Sequence, residues 1–224
     1  LKIIQLGAII GPEFGMGRGN AGDTAVGAAC TNVYQNEFPD CEISYLNCRQ
    51  IFEQKHIDEI NTHDILIVGG GGLFLRDTFP NNVSDWQWGI SPELLSKIKI
   101  PIIVYAIGYN KFRGQENFSD IFDKSVSTLV EKSIFFSMRN TGSCNSIKKH
   151  IPEKLHSKIH LNYCPTILFK EKFKKNPERT SSVGFLFGGD RLVNRHKDLE
   201  SFVKNIKEFR NHLKKIGINS ILIN

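Results

Sequence analysis

Nothing in this chain of 224 residues is long and apolar enough to cross a membrane. Its longest apolar runs, Ile65-Leu66-Ile67-Val68 and Ile100-Pro101-Ile102-Ile103-Val104, stop at four or five residues, whereas a helical span takes about 20. The opening Leu1-Lys2-Ile3-Ile4-Gln5-Leu6 lacks the charged leader and small-residue cleavage site of a secretion signal. It reads as a strand, and the absence of an initiator Met suggests trimming in front of it. A soluble, cytoplasmic protein is expected. Cysteine is scarce and scattered: Cys30, Cys41, Cys48, Cys144 and Cys164 are odd in number and form no Cys-x-x-Cys pair. That excludes a disulfide framework and a structural zinc site and leaves buried free thiols. Gly-x-x-x-x-Gly-Lys, Gly-x-Ser-x-Gly and His-Glu-x-x-His are all absent. The histidines are dispersed, with His150, His156 and His160 expected on the surface near a helix end. No metal constellation emerges, and the sequence calls for no cofactor. The basic run Lys170–Lys175 has no aromatic interleaving and no nucleic-acid module is recognisable, so no nucleic-acid partner is expected.

What the chain does have is charge asymmetry. Residues 1–147 hold 12 Lys/Arg against 16 Asp/Glu, and residues 148–224 hold 17 against 7. A basic second half suits an anionic ligand or surface, such as a phosphorylated donor or a diphosphate-linked lipid, although solvated helix faces would look the same. Short apolar runs alternate with longer amphipathic stretches, the pattern of parallel βαβ units. Strands are expected at Lys2–Ile10, Glu42–Leu46, Ile65–Val68, Ile100–Ile107, Ile134–Met138 and Lys158–Leu161. Helices are expected at Asp23–Glu37, Arg49–Ile60, Pro92–Ile98, Phe118–Lys132 and Thr141–His150. Residues 170–181 are polar and carry a proline, so a linker is placed there. The pattern then restarts with a strand at Val183–Phe187, a helix at Lys197–Lys215 and a strand at Ser220–Ile223. One such unit cannot cover both faces of its sheet. The expected architecture is therefore α/β: a doubly wound, mostly parallel sheet in an N-terminal domain over 1–169, a linker over 170–181, and the beginning of a second α/β domain over 182–224.

Four segments could carry chemistry. Gly11 to Asp23 links strand one to helix one and is rich in glycine, so its backbone can approach a ligand and the helix start favours an anion. Gly17, Gly19 and Gly22 spell a dinucleotide-like spacing, but the strand ends too early and strand two ends in Asn47-Cys48-Arg49, with no carboxylate for a ribose. Asp23 is a ligand contact or a helix N-cap, or both. Gly69-Gly70-Gly71-Gly72 follows the third strand at its carboxyl end, where open parallel sheets form their binding crevice. The long loop after it holds Trp86 and Trp88, which offer a platform for an acceptor sugar or pack on the domain's own rim. Gly108-Tyr109-Asn110-Lys111-Phe112-Arg113-Gly114 supplies polar groups at the same edge. In Ser137-Met138-Arg139-Asn140-Thr141-Gly142-Ser143, Arg139 sits just past an apolar strand, where its fork suits a carboxylate or phosphate.

In order and spacing, Gly19-Asn20-Ala21-Gly22-Asp23, Asp64-Ile65-Leu66-Ile67-Val68-Gly69-Gly70-Gly71-Gly72-Leu73, Pro101-Ile102-Ile103-Val104-Tyr105-Ala106-Ile107-Gly108 and Ser137–Ser143 resemble the polysaccharide pyruvyl transferase family over roughly residues 1–170. The resemblance implies a GT-B-like, two-domain enzyme with its site in the interdomain cleft. It implies transfer of a pyruvyl group from phosphoenolpyruvate to a saccharide of a capsular, exopolysaccharide or cell-wall glycan, the acceptor being free or lipid-diphosphate-linked. Peripheral membrane association is compatible with that acceptor. In such a reaction the donor's methylene carbon is protonated, a sugar hydroxyl attacks the resulting cation, and phosphate leaves. The substrate-binding residues expected here are Asn20, Gly22, Asp23, Gly70, Gly71, Gly72, Tyr109, Asn110 and Arg139. The resemblance places the principal acid, a histidine near an arginine, late in the second domain and beyond Asn224, so residues 1–224 alone are expected to turn nothing over. Where many relatives carry an acidic residue before the proline that closes the first domain, this chain has Cys164-Pro165-Thr166. Two other readings stand beside this one: a GT-B-type glycosyltransferase using a nucleotide sugar, and a non-catalytic sugar- or phosphate-binding relative.

Overall fold

In the computed structural model the described residues are 1–8, 21–168, 181–188 and 192–223. The chain divides into two compact units, Leu1–Lys111 with Asn117–Lys170, and Phe112–Glu116 with Glu171–Asn224. In the first unit the elements run β1 (Lys2–Gly7), α1 (Ala21–Glu37), β2 (Glu42–Asn47), α2 (Gln54–Ile60), β3 (Ile65–Phe74), α3 (Pro92–Ser96), β4 (Ile102–Tyr109), α4 (Asp120–Lys132), β5 (Ser133–Met138), α5 (Thr141–Ile147) and β6 (Ile159–Leu161). The six strands form one sheet in the order β2-β1-β3-β4-β5-β6, and every neighbouring pair is parallel.

Alternation along the strands splits the core into two layers. Ile3 and Ile67 pack with Val26, Cys30 and Tyr34 of α1 on one face. Ile4, Leu6, Leu66, Val68 and Val104 pack on the other face with residues of α2 to α5. Helix α4 shows why its sequence folds as it does: Phe122, Ser125, Val126, Leu129 and Val130 are its buried residues, one stripe at helical spacing. Asp120 and Asp123 lie in its first turn and Lys132 in its last, as the helix dipole favours.

The second layer centres on an aromatic cluster. The Phe74 ring lies 4.8 Å from Trp86 and 5.5 Å from Phe122, and Trp86 lies 5.8 Å from Trp88. Trp86 Nε1 donates to Ser125 Oγ at 3.0 Å. Both tryptophans are wholly buried, which corrects the idea of a sugar platform: neither ring offers a face to a ligand. The loop that carries them folds inward because Asp85 accepts from Arg76 Nε and from the Ser119 amide, each at 2.7 Å.

In the second unit, β7 (Ser182–Leu186) and β8 (Asn219–Ile223) pair in parallel. Between them lie the short α6 (Leu192–Arg195) and the longer α7 (Leu199–Lys215). Asp198 caps α7 by accepting from the Ser201 amide at 2.9 Å, and Phe209 of α7 meets Phe185 of β7 edge-on. The linker expected over 170–181 lies, apart from Ser181, outside the described residues. No helix among the described residues is long and apolar enough to cross a membrane.

Phe122 is fully buried and touches Phe74, Tyr109, Phe118 and His150. Phe122→Ala should therefore lower the unfolding free energy by about 3–5 kcal/mol in urea titration.

Candidate functional site

The strand order places β1 and β3 side by side although β2 comes between them in the chain. Chain direction across the sheet reverses there, and ligands of open α/β sheets bind outside the carboxyl ends at that point. Residues reach this edge from four directions: the first turn of α1, the residue after the β2 bend, the far end of β3, and the ends of β4 and β5.

Gly69–Gly72 is not a loop. β3 continues through all four glycines to Phe74, paired to β4 as Gly69 with Tyr105 and Gly71 with Ile107. Expectation and structure part here because glycine is a poor strand former on its own, whereas pairing along β4 supplies the ladder that propensity lacks. The glycines are needed because the crowding leaves no room for a Cβ. One at Gly69 would overlap the Tyr105 carbonyl oxygen, and one at Gly70 would come 2.8 Å from Val26 of α1. Gly71 takes φ +92°, which L side chains rarely adopt.

Around Gly72 the polar side chains form an arc. The Gly72 carbonyl accepts from Gln87 Nε2 at 2.8 Å and from Asn110 Nδ2 at 3.4 Å. Gln87 Oε1 in turn accepts from Arg49 Nε at 2.7 Å. Asn110 Oδ1 accepts from Arg139 Nη2 at 3.0 Å. One carbonyl thus sets both amides, and each amide holds one arginine. The Arg139 backbone is tied down as well, its amide donating to Ile107 O at 3.0 Å, while Asn140 caps α5 by accepting from the Ser143 amide.

Asp23 feels the charge of both arginines. Its Oδ2 lies 3.7 Å from Arg49 Nη2, and its Oδ1 lies 3.5 Å from where a Cβ of Gly71 would be. Burial raises its pKa above the ordinary carboxylate value, and the charges of Arg49 and Arg139 pull the other way. Helix α1 begins at Ala21, so Asp23 belongs to its first turn. Burial also pushes the neighbouring Cys48 thiol up to about 12.

Of the expected site residues, Asp23, Gly71, Gly72, Asn110 and Arg139 come together here, with Gly70 beside them. Gly22 immediately precedes Asp23 on α1. Asn20 lies outside the described residues, as does the glycine run before it. Tyr109 turns away from the arc. Its hydroxyl meets His150 Nε2 at 3.1 Å, and His150 Nδ1 meets Asp123 Oδ1 at 2.7 Å. His150 is therefore not a free surface residue: Tyr109, Phe118 and Phe122 surround its ring. Arg49 and Gln87 escaped the sequence reading. Arg49 had a usable signal, a cation two residues past the carboxyl end of β2. Gln87 had none, since only the inward fold of its loop brings it to Gly72. Among the described residues no group of three or more His, Cys, Asp or Glu side chains could hold a metal ion.

The model of the family described as polysaccharide pyruvyl transferase matches residues 20–223, nearly the whole chain. The chain belongs to that family. No curated protein and no solved structure matches it. Family membership makes it one of a group of transferases acting in polysaccharide biosynthesis, and the arc around Gly72 lies inside the matched region.

The glycines of this edge should separate in mutagenesis. The atoms nearest a Cβ at Gly108 belong to the Arg139 guanidinium, a movable group, whereas one at Gly69 would meet backbone at φ +133°. In urea unfolding, Gly108→Ala should cost less than about 1 kcal/mol and Gly69→Ala more than about 2 kcal/mol.

Proposed function

We propose that this chain contributes the donor side of a pyruvyl transferase that takes its pyruvyl group from phosphoenolpyruvate and delivers it to a hydroxyl of a capsular, exopolysaccharide or cell-wall saccharide. The observation that carries the reading is the arc itself: two arginines, each steered by an amide anchored on one glycine carbonyl, at the carboxyl edge of the sheet in a member of this family. Phosphoenolpyruvate offers a phosphate and a carboxylate, and two guanidinium forks held apart suit two such groups. In this reading Arg139 and Asn110 hold one anionic group and Arg49 the other, over the bare backbone of Gly70, Gly71 and Gly72. Gly22 and Asp23 close the site from the start of α1.

The chemistry asks for a positive, preorganised surface. Protonating the donor's methylene carbon makes C2 electrophilic. A sugar hydroxyl then forms a new C–O bond there, giving up its proton; phosphate leaves with the electrons of its bond to C2, and a second hydroxyl of the saccharide adds to the cation so formed and loses its proton, closing the ketal. Arginines placed beforehand lower the cost of the charge gathering on the departing phosphate. The unit formed by β7, α7 and β8 is, in this proposal, the beginning of a second α/β domain in a GT-B-like pairing. The alternative of a nucleotide-sugar donor would need contacts to a base and a ribose from the second domain.

Titration of phosphoenolpyruvate and of a UDP-sugar into the protein separates the readings, with binding expected for the first alone. Arg139→Ala should weaken phosphoenolpyruvate binding by about 1.5–3 kcal/mol, the scale of a charged hydrogen bond. Unchanged affinity in a normally folded variant would leave Arg139 a purely structural role.

A further inference from the structure

The two arginines of the arc already share a negative charge before any ligand arrives, and that charge has nowhere to go. Asp23 is fixed in the first turn of α1, and α1 is pinned to β3 by Val26, which lies close against Gly70. Its distance to Arg49, 3.7 Å, is too long for a hydrogen bond. Arg49 instead donates from Nε to the neutral amide of Gln87, and Arg139 donates from Nη2 to the amide of Asn110. Both cations are thus oriented by neutral groups and only loosely matched in charge. An anion bound by both must settle close to the Asp23 carboxylate, whose side chain is 23% exposed.

We propose that Asp23 is a proton-taking residue of the anion site: when a divalent or trivalent anion binds between Arg49 and Arg139, the Asp23 carboxylate takes up one proton from solvent. The proton forms an O–H bond on the carboxylate, whose negative charge is thereby cancelled, and no bond to the ligand forms or breaks. The placement of the anion rests on the functional reading above; the response of Asp23 requires only that the ligand be multiply charged.

The sign follows from the groups that face Asp23. Among the described residues these are Arg49 beyond β2, Arg139 beyond β5, and the thiol of Cys48. The thiol stays neutral throughout, since burial holds it near 12. In the free protein, burial raises the Asp23 pKa and the two arginines oppose that rise. A bound anion takes up the arginines' field and adds repulsion of its own, so the pKa climbs further. The complex then carries more protons than the free protein, and affinity must increase as pH falls through the window between the two values. Above that window it is flat.

Isothermal titration of sulfate, which does not itself titrate near neutral pH, tests this in pairs of buffers with different ionisation enthalpies. The expected result is uptake approaching about one proton per sulfate on the acid side of neutrality, with affinity rising up to about tenfold per pH unit there. Asp23→Asn should abolish the uptake, make binding independent of pH, and bind sulfate at neutral pH at least as tightly as the wild type. Asp23→Ser, checked by circular dichroism, serves if the Asn variant does not fold. Sulfate binding without proton uptake, weakened binding in the folded variant (the mark of a mere strut for Arg49), or no anion binding at all would each overturn the proposal. Repeating the titration with phosphoenolpyruvate separates the two readings. Linked uptake with sulfate but no binding of phosphoenolpyruvate removes the donor assignment and leaves Asp23 in its role. Binding of phosphoenolpyruvate without linked uptake in the sulfate series does the reverse.

Discussion

Everything at the carboxyl edge of the sheet depends on backbone that carries no side chain. Between Val68 and Leu73 the third strand has only hydrogen where other strands have carbon, and three neighbours use the space. The Tyr105 carbonyl crowds Gly69, α1 presses Val26 onto Gly70, and Asn110 reaches across Gly72. A single methyl at any of these points would push one neighbour away. The same bareness leaves the Gly72 carbonyl open to two amides at once, and through Gln87 and Asn110 it sets both arginines. The strain this puts on the backbone, with Gly69 at φ +133° and Gly71 at φ +92°, is tolerable because glycine meets no Cβ clash there. It is held in place by the large aromatic cluster beneath, into which Phe74 anchors the end of the strand.

The electrostatics of the edge are local. The first 147 residues carry more acid than base, yet the arc gathers two arginines around one aspartate, and each arginine is oriented by an amide and not by a carboxylate. Such an arrangement keeps positive charge available. A tight Arg–carboxylate pair would have spent it, since a ligand would then have to break a charged hydrogen bond before forming its own.

How much of this could be read beforehand varies with the kind of interaction. The parallel strands were legible because a strand buried on both faces shows as a continuous run, as in Ile65-Leu66-Ile67-Val68, and because α4 repeats its apolar residues at helical spacing. The joint presence of Asp23, Gly71, Gly72, Asn110 and Arg139 was legible because residues just past the carboxyl ends of parallel strands converge. Three things were not. The glycine quartet looked like a loop, since its strand character comes from β4 and not from its own propensity. Trp86 and Trp88 could be read as a sugar platform or as packing on the rim, because nothing local announces that Asp85, paired to Arg76 and Ser119, folds their loop into the core. Gln87 and His150 owe their places to contacts 15 and 41 positions away in the chain, beyond the reach of any local pattern.

The central claim is that the arc around Gly72 is where a doubly anionic donor is held. A crystal structure of the protein soaked with phosphoenolpyruvate tests it most directly. The account predicts the ligand over Gly71 and Gly72, with its phosphate and carboxylate each within hydrogen-bond distance of one of Arg49 and Arg139. Phosphoenolpyruvate bound elsewhere on the protein, with both arginines keeping only their amide partners, would contradict it.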